Sequence, residues 1–140
     1  MPVPFFDLKK QYQSLDAEIR PALEKFLPQQ AFILGPTVES FEKEFSTYCQ
    51  TPFSLGVSSG TDALLLALEA LHIGPGDEVI VPAFTFYCTA SVVTRRGAKP
   101  VFVDVDLNDY NILPAAIEAA ITPRTKAIIP VHLFGQIVPF

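Results

Sequence analysis

Short apolar runs rich in Val and Ile, at residues 78–81, 100–105 and 126–131, alternate with stretches of helical spacing at 89–95 and 114–121. No other feature of the chain constrains its fold as much. Brief, nearly continuous runs of this kind read as strands buried on both faces. Strands that alternate with helices pair in parallel, because each helix carries the chain back across the sheet. The expectation is an α/β fold, a mainly parallel sheet flanked by helices. Breakers mark its corners: Gly74-Pro75-Gly76-Asp77 before the first run, Pro82 after it, Gly97 and Thr122-Pro123 after the helices.

The residues ahead of this pattern read differently. Tyr12, Leu15, Ile19, Leu23 and Phe26 recur at helical steps, with Pro21 placed to kink or break the helix. Gly35-Pro36-Thr37 announces a second helix, whose Val38, Phe41, Phe45 and Tyr48 are expected to be buried as core. We therefore divide the chain into an N-terminal helical segment, 1–50, and an α/β portion, 51–140. Apolar residues at 49% against 18% charged are enough for a packed core and contrary to a disordered tail. A net charge of −5 argues against a partner recognised through a nucleic-acid backbone. Cys49 and Cys88 stand far apart in no ligand spacing, and nothing at the start has the basic and apolar regions of an export signal. The most apolar helical stretch, 63–71, is too short to span a bilayer. A soluble cytoplasmic protein is expected, with no membrane or nucleic-acid partner.

The stretch richest in possible chemistry is Gly56-Val57-Ser58-Ser59-Gly60-Thr61-Asp62-Ala63-Leu64. A short apolar run at 54–57, read as a strand, enters a turn of small residues that opens directly into an Ala/Leu helix. The first N–H groups of a helix lack intrahelical acceptors and carry partial positive charge, so such a turn can cradle a phosphate, with the Thr61 hydroxyl as a further donor. The bland alternative is an ordinary Ser/Thr cap. No lysine follows in the Walker manner and no G-x-G-x-x-G occurs, so a phosphate bound here belongs neither to a nucleoside triphosphate nor to NAD. Downstream, Pro82-Ala83-Phe84-Thr85-Phe86-Tyr87 follows a strand, where one ring could stack on a flat heteroaromatic ligand.

Competing readings share these residues. Gly56-Val57-Ser58-Ser59-Gly60 also satisfies G-x-S-x-G, and Ser58, Asp104 or Asp106, and His132 follow in the order of a hydrolase triad. Against this, few residues precede the motif, most of them helical, and no HGGG-like segment supplies an oxyanion hole. The acids at 104–109 resemble a calcium loop, but Asp109 stands where the loop needs Gly and Ala115 where it needs Glu, so they read as turn formers. His72 reads as a surface residue. His132 reads either as a satisfied core histidine or as a group facing the crevice beyond the strand ends.

Several motifs occur in a telling order. They are Phe6-Asp7-Leu8-x-x-Gln11-Tyr12, Gly35-Pro36-x-Val38-x-x-Phe41-Glu42, Ser59-Gly60-Thr61-x-Ala63-Leu64 and Gly74-x-Gly76-Asp77-Glu78-Val79. Pro82-x-x-Thr85-Phe86, Pro100-Val101-Phe102-Val103-Asp104-Val105-Asp106 and the run from Thr125 through His132 to Gln136 complete the series. The series resembles the N-terminal portion of the DegT/DnrJ/StrS aminotransferases, sugar aminotransferases that use pyridoxal phosphate. The resemblance implies part of a fold type I, aspartate-aminotransferase-like large domain and a homodimer when complete. It implies amino transfer, typically from glutamate, to a nucleotide-linked keto sugar, as in polysaccharide biosynthesis. It further implies that Gly60 and Thr61 hold the cofactor phosphate and that Phe86 stacks on its pyridine ring. No metal is implied.

The resemblance leaves one part out. The lysines are Lys9, Lys10, Lys25, Lys43, Lys99 and Lys126, and none sits in the family's lysine motif. The Schiff-base lysine and the acid that pairs with the pyridine nitrogen are expected beyond Phe140, since the apolar end makes the chain read as the front part of a longer protein. The 140-residue chain is thus expected to be inactive alone. The alternatives are a non-catalytic remnant or binding protein of the same fold, the serine hydrolase, and the related dehydratases in which histidine replaces the lysine.

Overall fold

A computed structural model describes residues 3–138. The final Pro139-Phe140 of the apolar end lies outside the described residues. Two compact units are present, 3–56 and 57–138.

In residues 3–56, α1 spans Lys9–Phe26 and α2 spans Pro36–Tyr48, with a single 3-10 turn at Leu27–Gln29 after α1. Pro21 does not break α1. It lies on an exposed stretch, where the carbonyl that its ring deprives of a donor can meet water. Gly35, at φ 92°, takes a left-handed conformation that a side chain would resist, and Pro36 opens α2 behind it. Phe26 meets Phe32 edge-on at 5.7 Å, and Glu42 accepts a hydrogen bond of 2.7 Å from the Gly56 N–H. The helical periods are as expected, but the burial is not. Phe41, Phe45 and Tyr48 are exposed, as are Tyr12 and Leu23, and no residue of 3–56 is buried. Periodicity identifies an apolar face; burial needs something laid against it, and residues 3–56 do not supply that.

Residues 57–138 build the sheet. Its elements are α3 (Gly60–Ala70), β1 (Glu78–Pro82), α4 (Cys88–Arg95), β2 (Lys99–Val103), α5 (Pro114–Ala120) and β3 (Thr125–Ile128). The strands pair in parallel in the order β2-β1-β3, which places β1 in the centre. The expected parallel α/β sheet is therefore present. Side chains alternate across β1, so Val79 and Val81 pack with Leu68, Ile73, Val92, Val93 and Ala98 from the α3 and α4 side. Ile80 faces the other way, onto Val103, Ile112 and Val138, with Ile117 of α5 packed alongside. Val79, Ile80 and Val81 are fully buried, each stabilising the fold by roughly 1.5–3 kcal/mol relative to exposure. The flanking strands are only partly covered: Phe102 and Ile128 are exposed, because burial on both faces is reached at the centre of this sheet and not at its edges. The run at 54–57 forms no strand, since none of the described strands pairs with it.

Tight turns reverse the chain between these elements. Between α3 and β1, the Asp77 carboxylate accepts from the Gly74 N–H at 3.0 Å and the Asp77 N–H donates to the Gly74 carbonyl at 3.1 Å. Gly97, at φ 75°, closes α4; a Cβ there would come within 3.1 Å of the Pro75 ring, so both conformation and space require glycine. Among the described residues, no helix is long and apolar enough to cross a membrane.

Glu78 ties together the starts of all these strands. Its buried carboxylate accepts from the Thr122 hydroxyl at 2.6 Å, from Arg124 Nη2 at 2.8 Å and Nε at 3.2 Å, and from Lys99 Nζ at 3.3 Å. These bonds to Thr122 and Arg124, with Lys99 adding to them, outweigh desolvation and hold the carboxyl at a pKa of about 2, below its ordinary 4.5. A pKa depressed on folding adds stability that is complete above about 4.5 and disappears as pH falls toward 2. Glu78→Gln is therefore expected to be less stable than the native protein at neutral pH, with the gap closing between pH 4.5 and 2; urea unfolding across that range is the check. A gap independent of pH would contradict the assignment.

Candidate functional site

The helices α3 and α4 both run antiparallel to β1. One reaches it through the turn at 71–77 and the other leaves it through the loop at 83–87. Their C-terminal ends meet accordingly: Arg96 donates to the Ile73 carbonyl at 3.1 Å and pairs with Glu69. Their N-terminal ends then open at the other end, at the C-terminal edge of the sheet. Gly60 and Thr61 are the first residues of α3, and Phe86 lies two residues before α4. The fold thus carries all of these to one edge, where open parallel sheets place their ligands.

The start of α3 is both a cap and a donor set. Ser59 is the N-cap: its Oγ accepts from the Asp62 N–H at 3.1 Å and donates back to the Asp62 carboxylate at 3.2 Å. Ser58 donates to the same carboxylate. These bonds, Ser58 first and Ser59 second, lower the Asp62 pKa. Ser59 thus caps α3 through its side chain, while the Asp62 carboxylate reaches back to the Ser58 and Ser59 hydroxyls. This arrangement uses Ser58, Ser59 and Asp62 but leaves the donors between them. Among the described residues, nothing accepts from the N–H groups of Gly60 and Thr61 or from the Thr61 hydroxyl. A Cβ built on Gly60 would meet no atom within 4 Å, so the missing side chain leaves open space beside these donors. Such a donor set, at the positive end of a helix dipole, suits the oxygens of a phosphate.

The loop at 83–87 is fixed on both sides of Phe86. The Ala83 N–H donates to the Val103 carbonyl at 2.8 Å, the Thr85 and buried Thr89 hydroxyls share a hydrogen bond of 3.1 Å, and the Thr89 N–H donates to the Phe86 carbonyl at 3.1 Å. The Phe86 ring is 72% exposed, with no ring contact among the described residues.

The hydrolase arrangement is not assembled. The Ser58 hydroxyl is directed to Asp62, and His132 Nδ1 accepts from the Val138 N–H at 3.0 Å, whereas a triad histidine donates from that nitrogen to its acid. Asp104, Asp106 and Asp109 each accept from backbone N–H groups of their own turn, at 2.7–2.9 Å, as turn formers do. Lys99 is held by Glu78 at the opposite edge of the sheet, and Lys126 lies exposed on β3. The sequence offered the cap and the cradle as alternatives, whereas the cap is present and leaves the Gly60 and Thr61 donors open beside it. The Ser59-x-x-Asp62 spacing was the available signal.

Comparison with known proteins gives the family of the chain. The model of the DegT/DnrJ/EryC1/StrS aminotransferase family matches residues 13–140. The chain belongs to that family. It is 53% identical over 133 residues to the UDP-N-acetyl-3-dehydro-alpha-D-glucosamine 3-aminotransferase of Acidithiobacillus ferrooxidans, covering 95% of this chain and 36% of the relative. Streptomyces venezuelae DesV, solved in complex with a ketimine intermediate, superposes with a TM-score of 0.90 at 48% identity over 97% of this chain and 37% of that one. Bacillus subtilis NtdA, solved with bound cofactor PMP, superposes with a TM-score of 0.88 at 42% identity, covering 95% and 31% respectively. The chain spans about a third of the length of these proteins.

The cap can be tested apart from any ligand. Ser59→Ala is expected to lower the free energy of unfolding by about 0.5–2 kcal/mol, measured by denaturant titration. No loss would mean that Ser59 does not cap α3.

Proposed function

We propose that this chain is the cofactor-phosphate portion of a longer pyridoxal-phosphate-dependent aminotransferase. The whole enzyme would move an amino group, taken from glutamate, to a nucleotide-linked keto sugar, working as a cytoplasmic homodimer. The observation that carries the reading is the unused donor set of Gly60 and Thr61, delivered to the same sheet edge as the exposed Phe86 ring. Family membership supports the same cofactor and reaction class.

Pyridoxal phosphate, when bound, supplies the electron sink that lets an amino group leave one carbon and be delivered to another. This chain's part is binding and orientation. The N–H groups of Gly60 and Thr61 and the Thr61 hydroxyl would hold the phosphate, and Phe86 would stack on the pyridine ring and keep water from that face. The lysine of the family's motif would come from sequence beyond residue 140, so the chain alone would bind but not turn over. Lys99, bound to Glu78, is committed to the structural edge and supports that division.

In the complete enzyme, Thr61→Ala is expected to weaken cofactor retention by on the order of tenfold to a hundredfold, the equivalent of one charge-assisted hydrogen bond of about 1.5–3 kcal/mol. Gly60→Ala is expected to weaken retention with little effect on stability, because its Cβ enters space the anion needs. Ser58→Ala should remove no esterase activity, there being none to lose. Titration of the apoenzyme with pyridoxal phosphate, followed by absorbance, measures these effects; unchanged affinity in both Thr61→Ala and Gly60→Ala would overturn the reading.

A further inference from the structure

We propose that Tyr110 is a positioning residue for this site: its ring braces the 83–87 loop so that Phe86 is presented in one orientation. The inference rests on the reading of Phe86 as the ring that stacks on the cofactor.

Each strand of the sheet ends in a loop at the same edge, and each of these loops contributes one ring to a chain of contacts. Phe84 follows β1, Tyr110 follows β2 and Phe134 follows β3. Tyr110 sits between the others, 5.5 Å from Phe84 at a tilt of 39° and 6.1 Å from Phe134 at 90°. Both are ordinary attractive aromatic geometries. The loop that carries Tyr110 is itself closed. The Tyr110 N–H donates to the Asp106 carbonyl and the Asp106 N–H to the Asn111 carbonyl, both at 2.9 Å, and Val105 and Ile112 form an antiparallel bridge. The buried Asn111 amide donates to the Ile137 carbonyl at 3.3 Å, tying in the segment after β3. The 104–112 loop is thus a hub that touches both neighbouring loops.

The residue type at this position is informative. Tyr110 has φ 59°, a left-handed conformation that glycine or asparagine adopts readily and a bulky side chain does not. A turn alone would not call for tyrosine. Neither does the core, since the ring is 40% exposed, and its hydroxyl has no partner among the described residues. What remains for the ring is its contact with Phe134 on one side and with Phe84 on the other, the latter two residues from Phe86 in a loop otherwise fixed by Ala83, Thr85 and Thr89. Strain kept where the surroundings over-determine it is a mark of preorganised sites. Without the brace, Phe84 loses its one ring contact among the described residues, and Phe86 gains orientations that do not stack.

The experiment uses the complete enzyme carrying this chain and has readouts other than turnover. Pyridoxal phosphate affinity of the apoenzyme and induced circular dichroism in the cofactor band are measured for the native protein, Tyr110→Phe, Tyr110→Gly, Phe86→Ala and the double variant of the last pair. Tyr110→Gly keeps the left-handed turn while removing the ring, so it separates the brace from the backbone. Expected are native values for Tyr110→Phe and, for Tyr110→Gly, a changed dichroic signal with affinity about threefold to tenfold weaker, the factor such an aromatic contact carries. In the Phe86→Ala background, Tyr110→Gly should cost nothing more, because its effect passes through Phe86. Native affinity and dichroism in Tyr110→Gly, equal losses in Tyr110→Phe, or losses that simply add would each overturn the proposal while leaving the aminotransferase reading intact. A native enzyme that binds no pyridoxal phosphate, or unchanged binding in Phe86→Ala, would instead overturn the parent reading and the proposal with it.

Discussion

Parallel pairing of β1 on both of its edges is the constraint from which the rest of residues 57–138 follows. A strand paired on each side and covered on each face must be apolar throughout, and Val79, Ile80 and Val81 are fully buried. Parallel neighbours also forbid hairpins, so every connection has to return across the sheet as a helix. Helices that return from one edge begin at the other. The N-terminal end of α4 therefore falls at the C-terminal edge of the strands as a consequence of the pairing, and α3, whose C-terminal end meets that of α4, opens at the same edge.

The sheet has chemically different ends. At the start of the strands, the buried Glu78 carboxylate gathers Thr122, Arg124 and Lys99 into a fully occupied ionic cluster, which closes that end. At the far end, the cap of α3 consumes Ser58, Ser59 and Asp62 and leaves Gly60 and Thr61 with donors unspent. A cluster whose groups are all paired contributes stability, whereas unpaired donors beside open space contribute affinity for an anion. The group that holds the sheet together and the open donor set thus lie at opposite ends of the strands.

Much of this was legible in the sequence because local chemistry and fold agree. The Val/Ile runs, the Gly-Pro-Gly-Asp turn before β1 and the small residues before α3 each have a local physical meaning, and each appears where expected. Other features depend on partners that periodicity does not name. The stripe of Phe41, Phe45 and Tyr48 has helical spacing but lies exposed, and the run at 54–57 has strand composition but no strand beside it. Glu78 shows no sequence signal of its role, since Thr122 and Arg124 lie more than forty positions away. Tyr110 is equally silent, because neither its left-handed backbone nor its contact with Phe84 is written in neighbouring residues.

The central claim is that the start of α3 and the loop before α4 form one cofactor site at the C-terminal edge of the sheet. A crystal structure of the complete enzyme with pyridoxal phosphate tests it most directly. The account predicts phosphate oxygens within about 2.7–3.2 Å of the Gly60 and Thr61 nitrogens and the Thr61 hydroxyl, with the Phe86 ring stacked on the pyridine. A cofactor whose phosphate binds elsewhere, or whose ring lies away from Phe86, would contradict it.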